Sequence, residues 1–363
     1  MRICYLADGQ SIHTERWCSH FSQLGYDIHL ITFRDTKIEN TTVHFVNTGD
    51  VSVEGGNWRV LLKLAVVKKL IREIKPDILH AQYATSYGLA GALSGFHPYI
   101  TTTLGSDVLI SPQKSFLYRM LVRYAVKKAD WVTAMADHMK EVIIDLGVDS
   151  AKVTTVIFGI DPIMFNHNNR KVSNEKFIIT STRNFEPIYN IELLLDALNL
   201  VKAKIPTLFV NLIGDGSLRN QLEKRASVLG LREKIKFHGR IPQNEIAAIL
   251  NQSHLFVTTS LSDGNNVSLN EAMACGTFSL ASDIRANRQW IKESVNGFLI
   301  PTDKPEILAD KILYVYKNYN ALEENAIPFN DNIIFEKALW SANMAIVENK
   351  YKELGAATGS VES

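Results

Sequence analysis

The sequence predicts an α/β chain made of two doubly wound halves, each built on a parallel sheet, facing a cleft. Three observations carry this expectation. Short apolar runs alternate with longer helical periodicities from one end to the other, as they do where strands are buried on both faces. At 363 residues the chain exceeds what one ordinary core organises. A polar stretch without periodicity, NHNNRKVSNE at 166–175, interrupts the alternation once and reads as a linker, after which the same texture starts again.

In order, the first half offers strands in RICYLA, DIHLITF, TVHFVN, DILHAQY, YITTTLG, WVTAM and KVTTVIFG. Stretches such as RWCSHFSQLG and VLLKLAVVKKLIREIK supply the crossover helices. The second half offers KFIITST, TLFVNLIG, IKFHGR, LFVTTS and TFSLAS. The expected division is a first domain over 1–165, a second over 166–340, a helix over 341–355 and a disordered tail over 356–363. Ligands of open parallel sheets sit outside the carboxyl ends of the strands. Asp8 to His13, His80, Asp107, Arg183, Asp215 and Asp263 all fall at such ends.

Composition removes several classes. A net charge of +1 gives no global attraction to nucleic acid. Cys4, Cys18 and Cys275 are odd in number and lack metal-ligand spacing, which suits reduced thiols and no metal site. The N-terminus lacks the pattern of a signal peptide, and no apolar run approaches the roughly 18 residues of a membrane span. The expected location is therefore cytoplasmic. ADGQSIH after the first strand is not the glycine fingerprint of a dinucleotide site, and no GxxxxGK[ST] phosphate loop occurs.

The chemistry concentrates in SLSDGNNVSLNEAMACG, residues 260–276, where a strand, a tight loop and a helix follow one another. The first amides of a helix lack intrahelical partners and carry the positive end of its dipole. Gly264 allows close approach of a ligand, so the amides of Asn265, Asn266, Val267 and Ser268 offer a diphosphate site. Glu271, about one turn in, has two carboxylate oxygens for a ribose diol, and Asp263 could bond hydroxyls of a sugar. The same features also describe a plain helix N-terminus whose acids favour the dipole. In STRNFEPIYN, Arg183 follows a strand and could pair with a diphosphate, although a lone arginine there is more often a surface group. LIGDGSL adds Gly214 and Asp215 at a third strand-to-helix turn, where the aspartate more often caps a helix.

Together these pieces resemble the retaining GT-B glycosyltransferases of family 4, whose two domains are Rossmann-like. STR, LIGDGSL, FHGRIPQNEI, TTSLSDGNNVSLNEAMACG and NGFLI stand in family order at family spacing. SIHTERW and TTLGSDV carry a looser likeness in the first half. The resemblance implies an acceptor-binding N-terminal domain, a donor-binding C-terminal domain and a final helix packing back toward the first. It also implies a nucleotide-diphospho sugar donor, UDP-linked by expectation, a glycan or lipid-linked acceptor, retention, and no metal or other cofactor. The family's two glutamates, with seven residues between them, map onto Asp263 and Glu271, with the first shortened to aspartate. Arg183 matches the family's phosphate-site arginine, but its companion lysine is replaced by Tyr189 or Ile188, which leaves a supporting part to Arg240 or Arg288. Three readings stay open within this frame: a transferase, a sugar-nucleotide epimerase or hydrolase, and a protein that binds nucleotide-sugar without turnover.

In the first half the family often carries a histidine where this chain has Leu104. His13 is a candidate replacement, and Asp107 is the expected binder of acceptor or donor hydroxyls; His80, Gln82, Gly88 and Ser106 lie at neighbouring strand ends. Two basic stretches suggest peripheral contact with anionic membrane, at the inner face of the plasma membrane. One carries Arg59, Lys63, Lys68, Lys69, Arg72 and Lys75, with Trp58 at its start. The other carries Lys114, Arg119, Arg123, Lys127 and Lys128 with Phe116, Tyr118 and Tyr124. The simpler account is that their apolar faces pack on the sheet while the cations are solvated.

Overall fold

The computed structural model describes residues 1–48 and 58–359. The side chains of Trp58 and Arg59, and the tail residues 360–363, lie outside the described residues. The chain forms two compact units, one of Met1–Phe158 with the residues from Met344 onward, the other of Gly159–Asn343.

The N-terminal unit holds seven parallel strands: β1 (Arg2–Leu6), β2 (Asp27–Thr32), β3 (Thr42–Phe45), β4 (Ile78–Gln82), β5 (Tyr99–Thr103), β6 (Trp131–Ala134) and β7 (Val153–Thr155). Their order is β3-β2-β1-β4-β5-β6-β7. β1, β4 and β5 are almost wholly buried because helices cover both faces, so that even His80, Gln82, Thr101, Thr102 and Thr103 among their residues are internal. The winding reverses between β1 and β4, where Leu6 pairs with Ala81. Loops leaving these two strands diverge to opposite faces and open a crevice between them.

The C-terminal unit repeats the plan with β8 (Phe177–Ser181), β9 (Leu208–Ile213), β10 (Ile235–Gly239), β11 (Leu255–Thr258), β12 (Phe278–Ser282) and β13 (Gly297–Ile300). The order is β10-β9-β8-β11-β12-β13, so its reversal lies between β8 and β11. Leu194, Leu195 and Leu198 of helix Ile191–Val201 pack with Phe278 of β12 and Leu308 of the long helix Pro305–Lys337 in one apolar core. β13 is a strand not counted among those expected from the sequence.

The stretch read as a linker is not a free one. The Arg170 guanidinium is buried and anchors the C-terminal unit: Nε donates to Glu323 at 2.6 Å, and its two terminal nitrogens donate to the carbonyls of Leu250, Cys275 and Ser253. A polar sequence here reflects internal hydrogen bonding. The final helix spans Trp340–Gly359, so the tail expected from residue 356 begins as helix. Within the N-terminal unit the Tyr351 hydroxyl sits 3.1 Å from that of Tyr5 and 2.5 Å from His80 Nδ1, with Met344 and Val347 buried beside it.

Candidate active site

Each unit gathers polar side chains at its point of reversal. In the C-terminal unit, Arg183 leaves the end of β8 and Asp263 follows the end of β11, so strands adjacent in the sheet bring together residues distant in sequence. The Arg183 guanidinium is 8% exposed. One terminal nitrogen forms a close ion pair with Asp263 and the other donates to Asn266 Oδ1 at 2.9 Å. Tyr189 lies beneath the guanidinium, which stands 4.3 Å from the ring centroid. This stacking, rather than hydrogen bonding, is what the tyrosine contributes where the family keeps a lysine.

The loop between β11 and helix Val267–Ala274 is tied down by its own side chains. Asn266 caps the helix by accepting from the Leu269 amide at 3.2 Å, a contact worth about 1 kcal/mol. Its Nδ2 donates to Thr258 Oγ1 and, at 3.0 Å, to Asn287 Oδ1. Asn265 accepts from Trp290 Nε1 at 3.0 Å, and Ser268 Oγ donates to the Thr182 carbonyl at 3.1 Å. Several of the amides expected to be open are engaged: those of Gly264 and Asn265 turn toward the Asp263 carboxylate, and that of Val267 donates to the Asn265 carbonyl. The carboxyl of Asp263 is pushed up by burial, and Arg183 with the two loop amides offsets this only in part. Glu271 is buried in the second turn of the helix.

Orphaned polar atoms mark the same spot. Arg183 Nε, Ser181 Oγ, Thr182 Oγ1 and Asn270 Nδ2 are buried without a hydrogen-bond partner. Buried polar groups are paired in the great majority of cases, so such a cluster points to an absent ligand or water. Gly214, expected at a cofactor, instead serves the Arg183 loop: at φ +139, a Cβ there would stand 2.4 Å from the Arg183 carbonyl oxygen. Arg240 is exposed at the end of β10, the edge strand, and no described contact joins it to Arg183 or Asp263. Arg288 is held by Asp283 at 2.6 Å.

In the N-terminal unit, Asp8, Ser11, Thr14, Gln82, Tyr83 and Ser86 line a cavity of about 160 Å³ at the reversal between β1 and β4. Gln82 Nε2, Thr85 Oγ1 and Ser86 Oγ are buried there without partners. Tyr83 adopts φ +78, a conformation costly for a bulky side chain, and its hydroxyl lies 2.6 Å from Ser106 Oγ. The sequence gives no signal for that backbone.

Two expectations are corrected here. Asp107 does not present its carboxylate to a substrate. It is fully buried and accepts from the amides of Ala84 at 2.8 Å, Gly105 at 2.9 Å, and Leu104 and Val108 at 3.1 Å, so it braces the loops after β4 and β5. Burial pushes its carboxyl upward, against the amides of Ala84, Gly105, Leu104 and its own residue. His80 is likewise internal, bonded through Nδ1 to Tyr351 and at 2.7 Å through Nε2 to Thr102. His13 packs on Phe158 with ring centroids 4.5 Å apart, and burial together with Arg16 lowers it to about 4. It is neutral at pH 7. Among the described residues no cluster of His, Cys, Asp or Glu could hold a metal ion.

Two Rossmann-like units, each with its polar cluster at the sheet's point of reversal, define the GT-B architecture. Anabaena HepE, solved in complex with UDP, superposes with a TM-score of 0.79 at 17% identity, over 98% of this chain and all of that one. The model of the glycosyl transferase 4-like family matches residues 2–136, and that of glycosyl transferases group 1 matches residues 164–328. The chain belongs to the group 1, family 4 GT-B glycosyltransferases and is a glycosyltransferase. An uncharacterized glycosyltransferase of Methanocaldococcus jannaschii is 24% identical over 95% of both chains. The UDP-Gal:alpha-D-GlcNAc-diphosphoundecaprenol alpha-1,3-galactosyltransferase of Escherichia coli is 26% identical over 64% of each chain.

Proposed function

We propose that this enzyme transfers a sugar from a UDP-sugar to a glycan or lipid-linked acceptor in the synthesis of a polysaccharide or glycoconjugate, with retention at the anomeric carbon. The observation that carries the reading is Arg183: a buried guanidinium at the reversal of the C-terminal sheet with one N–H left unpaired. A diphosphate supplies the acceptor oxygens such a group lacks. The UDP in the HepE complex and the UDP-galactose and diphosphoundecaprenol in the name of the Escherichia coli relative support the donor and acceptor classes.

In this reading the Glu271 carboxylate accepts from the ribose diol, Arg183 bonds the diphosphate, and Asp263 bonds sugar hydroxyls once Arg183 has turned from it to phosphate. As the anomeric C–O bond to UDP breaks, the developing charge falls on oxygens held by Arg183, which stabilises the transition state more than the ground state. The acceptor hydroxyl bonds the anomeric carbon from the same face, and its proton passes to the departing phosphate oxygen. The polar cavity beside Gln82, Tyr83 and Ser86 receives acceptor hydroxyls. His13, neutral and packed on Phe158, fills space near that cavity. The reaction runs without a metal and in the cytoplasm, where the three unpaired thiols stay reduced.

Calorimetric titration of UDP, GDP and ADP into the parent enzyme and Glu271→Ala, with EDTA present, tests the donor site. Selective UDP binding that weakens at least tenfold in the variant supports it. Equal binding by both proteins, or none by the parent, overturns it. NMR of the product's anomeric configuration tests retention.

A further inference from the structure

Helix Phe116–Lys128 has two apolar faces where a surface helix ordinarily has one. Val122, Ala125 and Val126 are buried against the N-terminal unit. On the opposite side Phe116 is 77% exposed, Leu117 65% and Met120 52%, with Tyr124 continuing the ridge one turn on. The simple account of this helix, in which its apolar side chains cover the sheet and only its cations meet water, therefore fails. Lys114, Arg119, Arg123, Lys127 and Lys128 surround the ridge, and the sequence from 114 to 129 contains no acid. The Lys128 ammonium stands 5.8 Å from the Tyr124 ring centroid, over the ring face. Between the ridge and the arginines runs a groove of about 530 Å³ lined by Phe116, Arg119, Met120, Arg123 and Tyr124.

A second helix extends the pattern. Leu64–Ile74 and Phe116–Lys128 both pack against helix Tyr87–Ser94, so the three lie side by side on one face of the N-terminal sheet. Leu62 and Val66 are exposed there, at the start of a helix that carries Lys68, Lys69 and Arg72. With a net charge of only +1 for the whole chain, this face gathers positive charge that the molecule lacks overall.

We propose that this face docks on a lipid bilayer bearing anionic headgroups, with Phe116, Leu117 and Met120 entering the acyl boundary and the surrounding cations meeting the phosphates. Charge complementarity selects this occupant: bulky apolar side chains at the crest and cations at the rim, with no acid on helix Phe116–Lys128 and the single Glu73 of helix Leu64–Ile74 ion-paired with Lys69, match the layering of an anionic membrane surface. The docking does not depend on the donor assignment, since none of these residues belongs to the Arg183 cluster.

The test is co-sedimentation of the full chain with vesicles of phosphatidylglycerol and phosphatidylcholine, against phosphatidylcholine alone. The parent protein is expected to partition onto the anionic vesicles and to leave them as salt rises. Phe116→Ser/Met120→Ser and, separately, Lys127→Glu/Lys128→Glu should each reduce partitioning at least tenfold, with unchanged melting temperature and unchanged UDP affinity. Lys234→Glu/Lys236→Glu in the other unit should have no effect. As a second readout, Leu117→Cys carrying an environment-sensitive dye, placed selectively because the native thiols are buried, should shift to the blue on anionic vesicles. Absence of parent partitioning, undiminished partitioning in both variants, or capture by polyglutamate with no vesicle binding overturns the proposal, the last in favour of an acidic protein partner.

Discussion

The two points of sheet reversal share a topology and differ in how they are filled. Between β8 and β11 the centre is an ion pair, Arg183 to Asp263, with an aromatic ring below and asparagines behind. Between β1 and β4 it is a small cavity rimmed by amide, hydroxyl and phenol groups and the Asp8 carboxylate, with no cation among the described residues of its lining and with Tyr83 held at positive φ. Both leave buried polar atoms without partners. The difference teaches what each can select. A buried cation with an internal counter-ion recognises an anion strong enough to exchange for that counter-ion. Neutral donors and acceptors recognise hydroxyls, at a lower energy per contact.

The sharpest way to break the comparison is Arg183→Ala. Turnover should fall by about 100-fold to 1,000-fold, the cost of removing a principal donor to a developing oxyanion, and UDP affinity should fall with it. A variant that kept most of its activity would remove the charged centre from the chemistry.

Next is Asp107→Ala, which leaves four backbone amides without their acceptor. A loss of about 2–4 kcal/mol in folding free energy, read by denaturant titration, is expected. If stability held while acceptor KM alone rose, Asp107 would belong to the substrate site after all.

Asp263→Asn distinguishes counter-ion from ligand. Because burial raises this carboxyl, the folded state favours its protonated form. The stability linked to that proton is fully present below the ordinary carboxylate pKa and is lost as pH rises through the raised value. The neutral isostere should therefore melt higher than the parent at pH 7, and the gap should close as the pH is lowered. UDP, freed from competing with the carboxylate, should bind about threefold to tenfold more tightly, while UDP-sugar gains less.

His13 carries the opposite sign. Its pKa, lowered to about 4, stabilises the fold fully above the unfolded value near 6.5, and that contribution is lost as pH falls from there toward 4. His13→Phe should flatten the stability profile across this window and leave the pH dependence of turnover above pH 6 unchanged.

The smallest effect is expected at Tyr189. Tyr189→Phe keeps the ring face under Arg183 and should bind UDP as the parent does, whereas Tyr189→Ala should lose about fivefold, or ~1 kcal/mol. Loss in the phenylalanine variant would restore the hydrogen-bonding reading.

Much of this was legible in the sequence, and the reasons differ by element. The seven strands of the first sheet and five of the second announce themselves as short runs rich in apolar and β-branched residues, including the edge strand β3, which has no buried residue. Arg170 was hidden by the polarity of the stretch around it. Asp107 and Asp263 look alike in sequence, each an acid after a strand within two residues of a glycine. Their fates part on which backbone amides turn toward them, a matter of loop conformation that periodicity does not encode. The contact between Arg183 and Asp263 joins residues 80 apart, and only the adjacency of β8 and β11 creates it. Tyr83 gave no signal, since nothing in an ordinary residue type announces a left-handed backbone.

The return of the last helix to the first unit has a consequence for synthesis on the ribosome. Tyr5 and His80 emerge early, yet the hydroxyl they share arrives with Tyr351, 271 residues after His80. The unit made first thus waits for the residues from Met344 onward to complete its interior, while the unit made second is already synthesised through Asn343. Folding in order of emergence, the usual course for chains of several domains, is reversed at the final step. Stalled or nonsense-truncated chains lacking this helix would expose Tyr5 and the face beneath it, marking incomplete copies for removal by cellular quality control.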